Sequence, residues 1–279
     1  MSRTAYPGRV RGLLIVNPSS GDSEPSAEEL AAAARGRGVD VHVLEDGDDL
    51  EEIARSADAD AVGMAGGDGS LAAVAGACLE RDRPFVCIPF GTRNHFARDL
   101  GLDRDDPIAA LAAFDGGEER RVDVGRAGDR LFLNNVSLGL YAQIVHRREH
   151  HRRRRVALAR LRALGLLATH RGPLGITVDG APIEARIVLV ANNAYSLELL
   201  SIGERERIDE GQLHLYSSAG WRGGWEEHCA ESFEIGATAG NLRAAVDGEP
   251  AELETPIRFS IDPRALRVLV PRSAGEEAG

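Results

Sequence analysis

The feature that most constrains this chain is a glycine turn, Gly66-Gly67-Asp68-Gly69, between a short apolar run and an alanine-rich segment. The apolar run, residues 61–65, predicts a buried strand, and the segment from Leu71 onward predicts a helix. Glycines permit backbone torsions and close approaches that a Cβ would prevent. The first N–H groups of a helix and its dipole attract anions. Strand, glycine turn and helix together predict a phosphate-binding cradle.

The carboxylate inside this turn, Asp68, requires an explanation because it would repel a phosphate. It could hold a metal ion, or it could accept a proton from an attacking hydroxyl. It could also be the N-cap of a tight strand-to-helix turn with no chemical role. The local pattern leaves these three interpretations open.

Strand and helix patterns alternate in the first part of the chain, which predicts an α/β fold with an open, mostly parallel sheet. Polar loops follow three of the predicted strands, and they contain Asn17, Asp68 and Thr92. Ligands of such sheets bind at the carboxyl ends of the strands. We therefore expect these three residues at one edge of the sheet.

From Arg121 onward most segments have strand patterns, and Asp179-Gly180 and Asp247-Gly248 are typical of hairpin turns. This part predicts an antiparallel β-rich sandwich or barrel, interrupted by a helix at residues 141–169. We predict three regions. They are a nucleotide-binding α/β catalytic domain at 1–123, a β-rich domain at 124–272 and a disordered tail at 273–279.

Composition and charge limit the partners. The net charge of −11 argues against nucleic acid as a partner. Because the sequence contains no lysine, a P-loop lysine is excluded, and any cation that contacts a phosphate must be arginine or a metal ion. The N-terminal residues lack an apolar signal segment, and the three separated cysteines are typical of buried thiols in a reducing compartment. We therefore expect a cytoplasmic protein.

One dense basic cluster, Arg147–Arg155, interrupts this acidic sequence within the predicted helix. It could be a solvated helix face. It could equally attract an anionic membrane surface, because a leucine-rich stretch lies beside it. The second interpretation predicts a peripherally membrane-associated protein.

Six motifs extend over nearly the whole chain. They are Asn17-Pro18-Ser19-Ser20-Gly21, Gly66-Gly67-Asp68-Gly69-Ser70, Gly91-Thr92-Arg93-Asn94-His95-Phe96-Ala97-Arg98, Asp123-Val124-Gly125, Asn134-Asn135-Val136-Ser137-Leu138-Gly139 and Asp247-Gly248-Glu249-Pro250. In this order they resemble the soluble diacylglycerol kinase, sphingosine kinase and bacterial lipid kinase family. The glycine turn alone is shared with NAD kinases and phosphofructokinase-like folds, whereas the combination is specific. The resemblance implies a nucleotide-binding α/β domain of that type followed by a β-rich lipid-binding domain.

The resemblance also implies an activity, the transfer of the γ-phosphoryl group of ATP to the hydroxyl of a diacylglycerol-like lipid alcohol in the presence of Mg²⁺. Asn17, Thr92 and Asn94 would donate hydrogen bonds to phosphate or sugar oxygens. The residues implied in ATP binding are Asn17, Ser19, Gly66, Gly67, Asp68, Gly69, Ser70, Leu71, Ala72, Thr92 and Asn94.

Three carboxylates carry the implied chemistry. Asp68 would hold Mg²⁺ with its nucleotide, and Asp123 would join the metal through water, although Asp123 could also simply cap a strand end. Glu249 matches the proton acceptor of the bacterial enzymes. In sphingosine kinases the residue that matches Asp68 has that role, so both carboxylates remain candidates for the base.

Some positions differ from the family pattern. His95 replaces a common aspartate, Asp22 stands where a basic residue is common, and Arg207 replaces the first carboxylate of a structural Mg²⁺ site. Glu210 and the backbone carbonyl of Gln212 could still bind that structural ion. We expect this site to be lost or altered.

Two alternative functions follow from these differences. The protein could be a nucleotide- or lipid-binding regulatory protein without turnover, or a kinase of a soluble substrate such as NAD. The sequence leaves the lipid and the oligomeric state open, and an exposed sheet edge could pair with a second copy in a homodimer.

Overall fold

The structure is a computed structural model that describes residues 3–5, 10–20, 24–91, 94–139, 174–198, 201–202, 205–219 and 224–272. Four predictions lie outside these residues: the helix at 141–169, the basic cluster, the position of Thr92 and the tail at 273–279. The chain divides into two compact units. Unit 1 comprises Met1–Val124 and Pro263–Gly279, and unit 2 comprises Gly125–Asp262.

Strands and helices alternate in unit 1. Its strands are β1 (Arg3–Ala5), β2 (Gly12–Val16), β3 (Asp40–Val43), β4 (Ala61–Gly66), β5 (Phe85–Pro89) and the first part of β6 (Glu118–Ala127). Its helices are α1 (Ala27–Gly36), α2 (Leu50–Ser56), α3 (Asp68–Glu80), α4 (His95–Asp99) and α5 (Pro107–Ala110), followed by a 3-10 helix at Leu111–Phe114.

Within the described residues, the regular elements of unit 2 are strands. They are β7 (Arg130–Phe132), β8 (Asn135–Gly139), β9 (Ile176–Val178), β10 (Ala181–Ile183), β11 (Ile187–Asn192), β12 (Leu197–Glu198), β13 (Ser201–Ile202), β14 (Leu213–Ser218), β15 (Glu226–Ala230), β16 (Ser232–Ala237), β17 (Asn241–Val246) and β18 (Glu249–Glu254). The last strand, β19 (Ile257–Val270), begins in unit 2 and ends in unit 1.

A parallel sheet forms the centre of unit 1. Strand β2 pairs with β3 and β4, β4 pairs with β5, and β5 pairs with the end of β19, all in parallel. Strands β4 and β5 are buried along their whole length, which explains their nearly continuous apolar sequences. The predicted open, mostly parallel sheet is confirmed.

The strands of unit 2 are antiparallel. Six of them form a sheet in the order β15-β14-β11-β8-β17-β18, and β10, β9, β16 and the start of β19 form a second group. One hydrophobic core takes side chains from both groups, including Phe132, Val190 and Phe259. The predicted antiparallel β-rich part is confirmed.

The compact units differ from the predicted regions at the C-terminal end of the chain. The region 124–272, with its inserted helix, was expected to form one domain, but residues from Pro263 onward belong to unit 1. The reason is long-range pairing, because Val268 and Leu269 lie beside Phe85 and Val86. The strand pattern of β19 contains no information on which sheet it joins.

None of the helices in the described ranges has the length and apolar character that crossing a bilayer requires.

Candidate functional site

The glycine turn connects β4 to α3 as predicted, but the helix begins earlier than expected. Strand β4 ends at Gly66, Gly67 is the N-cap with φ −78° and ψ 170°, and Asp68 is the first helical residue. The interpretation of Asp68 as an N-cap is therefore wrong. Because the N-cap is a glycine, it has no side chain to accept the first N–H groups of α3. These groups can serve a bound anion.

The loop after β5 packs directly against this turn. A Cβ placed on Gly91 would lie 3.1 Å from Gly67 Cα and 3.2 Å from the carbonyl oxygen of Gly66. Both neighbours are backbone atoms and cannot rotate away. Glycine at position 91 therefore brings the two loops together.

Asn94 closes the second loop with a left-handed backbone, φ 46° and ψ 47°. Its Nδ2 donates to the carbonyl of Gly91 at 2.7 Å. Its Oδ1 is buried and has no hydrogen-bond partner among the described residues. Because an unpaired buried acceptor is costly, Oδ1 is suited to a donor from a ligand, such as a sugar hydroxyl or a water.

Asp68 lies between the two loops. The residue is 9% exposed, and its Oδ1 accepts the backbone N–H of Phe96 at 3.3 Å. Burial, and secondarily the negative charge of Asp68, raise the pKa of the nearby Cys87 thiol well above its usual value. Cys87 is therefore a neutral thiol, and Asp68 is the ionisable group of the turn.

Asn17 lies in the third loop of the site, which follows β2. Its backbone N–H donates to the carbonyl of Ala65 at 2.9 Å, and its Nδ2 lies 3.5 Å from Ser70 Oγ. Its Oδ1 accepts the N–H of Ser19 at 3.0 Å, which shapes the loop. Of the three residues predicted for this edge of the sheet, the structure places Asn17 and Asp68 at the carboxyl ends of β2 and β4. Thr92 lies outside the described residues, and the nearby Asn94 joins the site instead.

Within the predicted ATP-binding set, Leu71 differs from the others. The whole residue is fully buried, so it presents no exposed surface to a ligand. Ser19 is exposed on the first loop, and Gly69 and Ser70 are half-buried at the start of α3.

The glycine turn fits a magnesium–nucleotide complex. Mg²⁺ prefers one or two carboxylates, phosphate oxygens and retained waters over a complete protein cage. Asp68 supplies one carboxylate beside the helix N-terminus that would bind the phosphates. Asp68 is therefore the residue of this turn that would hold the ion.

Asp123 lies in the unit 1 part of β6 and is 1% exposed. Its Oδ1 accepts the backbone N–H of Arg264 at 2.7 Å, at a point where β19 has a positive φ of 50°. This contact fixes the carboxylate. Because Asp123 lies inside β6 and Arg264 lies inside β19, the strand-capping interpretation is wrong. The additional role of Asp123 in a metal–water network remains a prediction.

Glu249 is the first residue of β18, in unit 2, and it is exposed. Val246 and Glu249 pair across the turn Asp247-Gly248, which confirms the predicted hairpin. Two of the three predicted catalytic carboxylates therefore belong to unit 1 and one to unit 2.

The residues predicted for a structural Mg²⁺ are already engaged within the protein. Glu210 Oε2 accepts the N–H of Ala194 at 3.0 Å and lies 3.3 Å from His214 Nε2, and the carbonyl of Gln212 accepts the N–H of Asn193 at 3.1 Å. Within the described ranges, no group of three or more histidine, cysteine or acidic side chains is arranged to hold a metal ion. These residues do not fit a structural Mg²⁺.

Sequence reasoning missed the side-chain pairs of this region. Arg207 pairs with Asp209 at 3.2 Å, and His214 Nδ1 lies 2.7 Å from Glu227 Oε1. His214 therefore contacts carboxylates on both of its ring nitrogens. The antiparallel pairing of β14 with β15 brings Glu227 close to His214, and no local sequence pattern predicts this contact.

Comparison with known proteins agrees with this geometry. Residues 11–127 match the family model of the diacylglycerol kinase catalytic domain. A probable YegS-like lipid kinase of Klebsiella pneumoniae (strain 342) is 33% identical over 134 residues, which are 46% of this chain and 44% of that protein. The diacylglycerol kinase of Bacillus subtilis (strain 168) is 30% identical over 146 residues, 49% of this chain and 48% of that protein. The chain thus matches about half the length of these curated relatives.

The fold is similar to that of solved structures over more of the chain than the sequence matches cover. A putative diacylglycerol kinase from Bacillus anthracis str. Sterne has a TM-score of 0.68, is 22% identical, and covers 94% of this chain and 98% of its own. The fold therefore agrees over nearly the whole chain. The predicted resemblance to the diacylglycerol and bacterial lipid kinase family is confirmed, and its sequence evidence lies in the catalytic-domain match of residues 11–127.

Proposed function

We propose that the protein is an ATP-dependent lipid kinase that transfers the γ-phosphoryl group to the hydroxyl of a diacylglycerol-like lipid alcohol. The observation that carries the proposal is the glycine turn at the start of α3. It has helix N–H groups without a capping side chain and a carboxylate at the first helical position, and beside it lies the Oδ1 of Asn94, which has no hydrogen-bond partner among the described residues. The names of the relatives, lipid kinase and diacylglycerol kinase, support the substrate class.

Phosphate binding would depend on the backbone. The first N–H groups of α3 and its dipole would hold phosphate oxygens, and Gly66, Gly67 and Gly91 would let the nucleotide approach the main chain. The chain has no lysine. The remaining phosphate charge would therefore be balanced by arginine or by Mg²⁺.

The carboxylates would divide the chemistry between them. Asp68 would hold Mg²⁺, which would spread the charge that develops on the transferred phosphoryl group. Glu249 would accept the proton of the lipid hydroxyl, and Asp68 is the alternative base. Asp123 would contribute through an ordered water.

Access to the lipid would take place at a membrane surface. The cluster Arg147–Arg155 would provide peripheral contact with anionic lipids, although it lies outside the described residues. Binding to vesicles with and without anionic lipid tests this part, and light scattering tests the predicted homodimer.

The test is the transfer of a radiolabelled γ-phosphoryl group, with Mg²⁺, to a panel of lipid alcohols in mixed micelles and to NAD.

Gly67→Ala is the informative variant, because no described atom lies within 4 Å of a Cβ at this position. Protein packing therefore tolerates alanine there, and only the loss of a glycine N-cap costs stability, about 1 kcal/mol. A bound phosphate would not tolerate it. We expect the Kd for ATP to rise at least about tenfold.

Gly76→Ala, in the same helix, is the matched control, and its Kd for ATP should equal that of the wild type. Transfer to one lipid class supports the proposal. Transfer to NAD alone would replace it with the soluble-substrate alternative. ATP binding without transfer to any acceptor would favour the regulatory protein.

A further inference from the structure

We propose that Asp247 is a positioning residue that fixes the direction of Glu249 for phosphoryl transfer. This inference rests on the proposed function and deepens it, because it concerns how unit 2 holds the candidate base. It is carried by the buried contacts of Asp247 and by a second hairpin of the same type in the same unit.

The turn that carries Glu249 has a defined geometry. Asp247 has φ 48° and Gly248 has φ 87°, and they separate the paired residues Val246 and Glu249. Two central residues with positive φ are the pattern of a type I′ turn. Glu249 follows this turn immediately, so any shift of the turn changes where its carboxylate points.

The carboxylate of Asp247 is bound to three consecutive backbone amides. Its Oδ2 accepts the N–H of Leu133 at 2.7 Å, and its Oδ1 accepts the N–H groups of Asn134 at 2.7 Å and Asn135 at 3.0 Å. The N–H of Asp247 in turn donates to the carbonyl of Asn135 at 2.9 Å. Because hydrogen bonds to a buried carboxylate are charge-assisted, they are stronger than those between neutral groups. The turn is thereby attached to the segment 133–135.

That segment is itself fixed from its carbonyl side. Arg205, which is 5% exposed, donates to the carbonyl of Leu133 at 2.8 Å and to Asn134 Oδ1 at 3.0 Å. The side chain of Asn192 also donates to the carbonyl of Leu133 at 3.1 Å. An anion binds the N–H groups of the segment and a cation binds its oxygens. The segment 133–135, to which the Glu249 turn is attached, is therefore held on both sides.

The other Asp-Gly hairpin does without this support. Asp179 and Gly180 have φ 49° and 80°, and they join β9 to β10 in the same way. Asp179 is exposed, and in the described contacts its carboxylate accepts one N–H, that of Glu234, at 2.8 Å. An Asp-Gly turn of this type therefore forms without three buried amides. We attribute the additional contacts of Asp247 to Glu249.

The experiment compares Asp247→Asn with its matched control Asp179→Asn. The asparagine keeps one carbonyl oxygen as an acceptor but loses the negative charge and one of the two acceptor oxygens. We expect Asp247→Asn to lower kcat up to about a hundredfold, as small misplacements of a reacting group do, and to leave the Kd for ATP unchanged. Asp179→Asn should retain wild-type kcat.

A double-mutant cycle with Glu249→Gln separates positioning from general stability. If Asp247 acts through Glu249, then Asp247→Asn has little further effect once Glu249 is replaced. Equal loss in both backgrounds would overturn the proposal. It would also be overturned if Asp247→Asn kept wild-type kcat, or if Glu249→Gln itself remained fully active. A wild-type protein without any transfer activity would instead overturn the proposed function.

Arg205→Lys covers the case in which Asp247→Asn does not fold. Lysine keeps the charge but cannot reach both oxygens with two nitrogens as the guanidinium does. We expect the same signature, a loss of kcat that disappears in the Glu249→Gln background. A loss that persists there would count against positioning.

Discussion

Asp68 and Glu249 are the two candidate bases, and the protein supports them in different ways. Asp68 is nearly buried, and the strand, glycines and helix next to it in sequence fix its position. Glu249 is exposed, and its turn is anchored through Asp247 to backbone amides more than a hundred residues away, with sequence separations of 112 to 114. One carboxylate depends on local structure and the other on long-range structure.

This difference has a practical meaning. Changes close to Asp68 in sequence should affect nucleotide binding and the metal ion. Changes that affect Glu249 can lie far from it in sequence and should alter catalysis without altering nucleotide binding. The following substitutions test that division, beginning with the largest expected effect.

Asp68→Asn should be the most damaging substitution. The amide keeps an oxygen to accept the N–H of Phe96, so the fold should persist, but the charge that would hold Mg²⁺ is lost. We expect kcat to fall about 10³-fold, the scale of losing a preorganised electrostatic group. Steady-state kinetics and thermal unfolding measure both effects. The exposed Asp58→Asn is the control, and a kcat within tenfold of the wild type would contradict the role of Asp68.

Glu249→Gln should lower kcat about 10²-fold, as expected for the loss of a general base. Because Glu249 is exposed, the melting temperature should not change. Glu254→Gln, at the other end of β18, is the control. A kcat of Glu249→Gln equal to that of the wild type would transfer the role to Asp68.

Gly91→Ala should have a smaller effect on activity, exerted through nucleotide binding, and should also lower stability because its backbone neighbours cannot move away. The added Cβ would lie 3.0 Å from Asn94 Oδ1 and close to the backbone of the glycine turn. We expect the Kd for ATP, measured by calorimetry, to rise about tenfold. In contrast, Gly76→Ala meets no described atom within 4 Å and should raise the free energy of unfolding by about 1 kcal/mol. If the two substitutions changed the Kd for ATP equally, the loops around Asp68 would not be the part of unit 1 that controls nucleotide binding.

The sequence predicted the part of the candidate site that is contiguous. The strand, the glycine turn and the following helix were expected in this order, because periodicity and glycine placement are local properties. The early start of α3 was missed, since Gly67 has no capping side chain to mark the boundary. Because α3 begins at Asp68 and not at Leu71, Asp68 is its first helical residue and Gly67 is the N-cap.

The parts that sequence reasoning could not reach depend on distant pairing. The attachment of Asp247 to Leu133, the contact of His214 with Glu227 and the return of β19 to unit 1 all join segments that no local pattern connects. The Asp-Gly signal predicted both hairpins correctly. It could not distinguish the anchored turn from the exposed one.

The division of unit 1 into two stretches of sequence has a consequence for the order of folding during synthesis. Unit 2 is continuous, so all of its residues have been synthesised before Val268 and Leu269, which pair with β5. Until those residues leave the ribosome, the outer edge of β5 lacks its partner and presents unpaired backbone groups. A fragment that ends near residue 127 would keep this open edge permanently. The segment matched by the family model, residues 11–127, therefore lacks one strand of the sheet of unit 1.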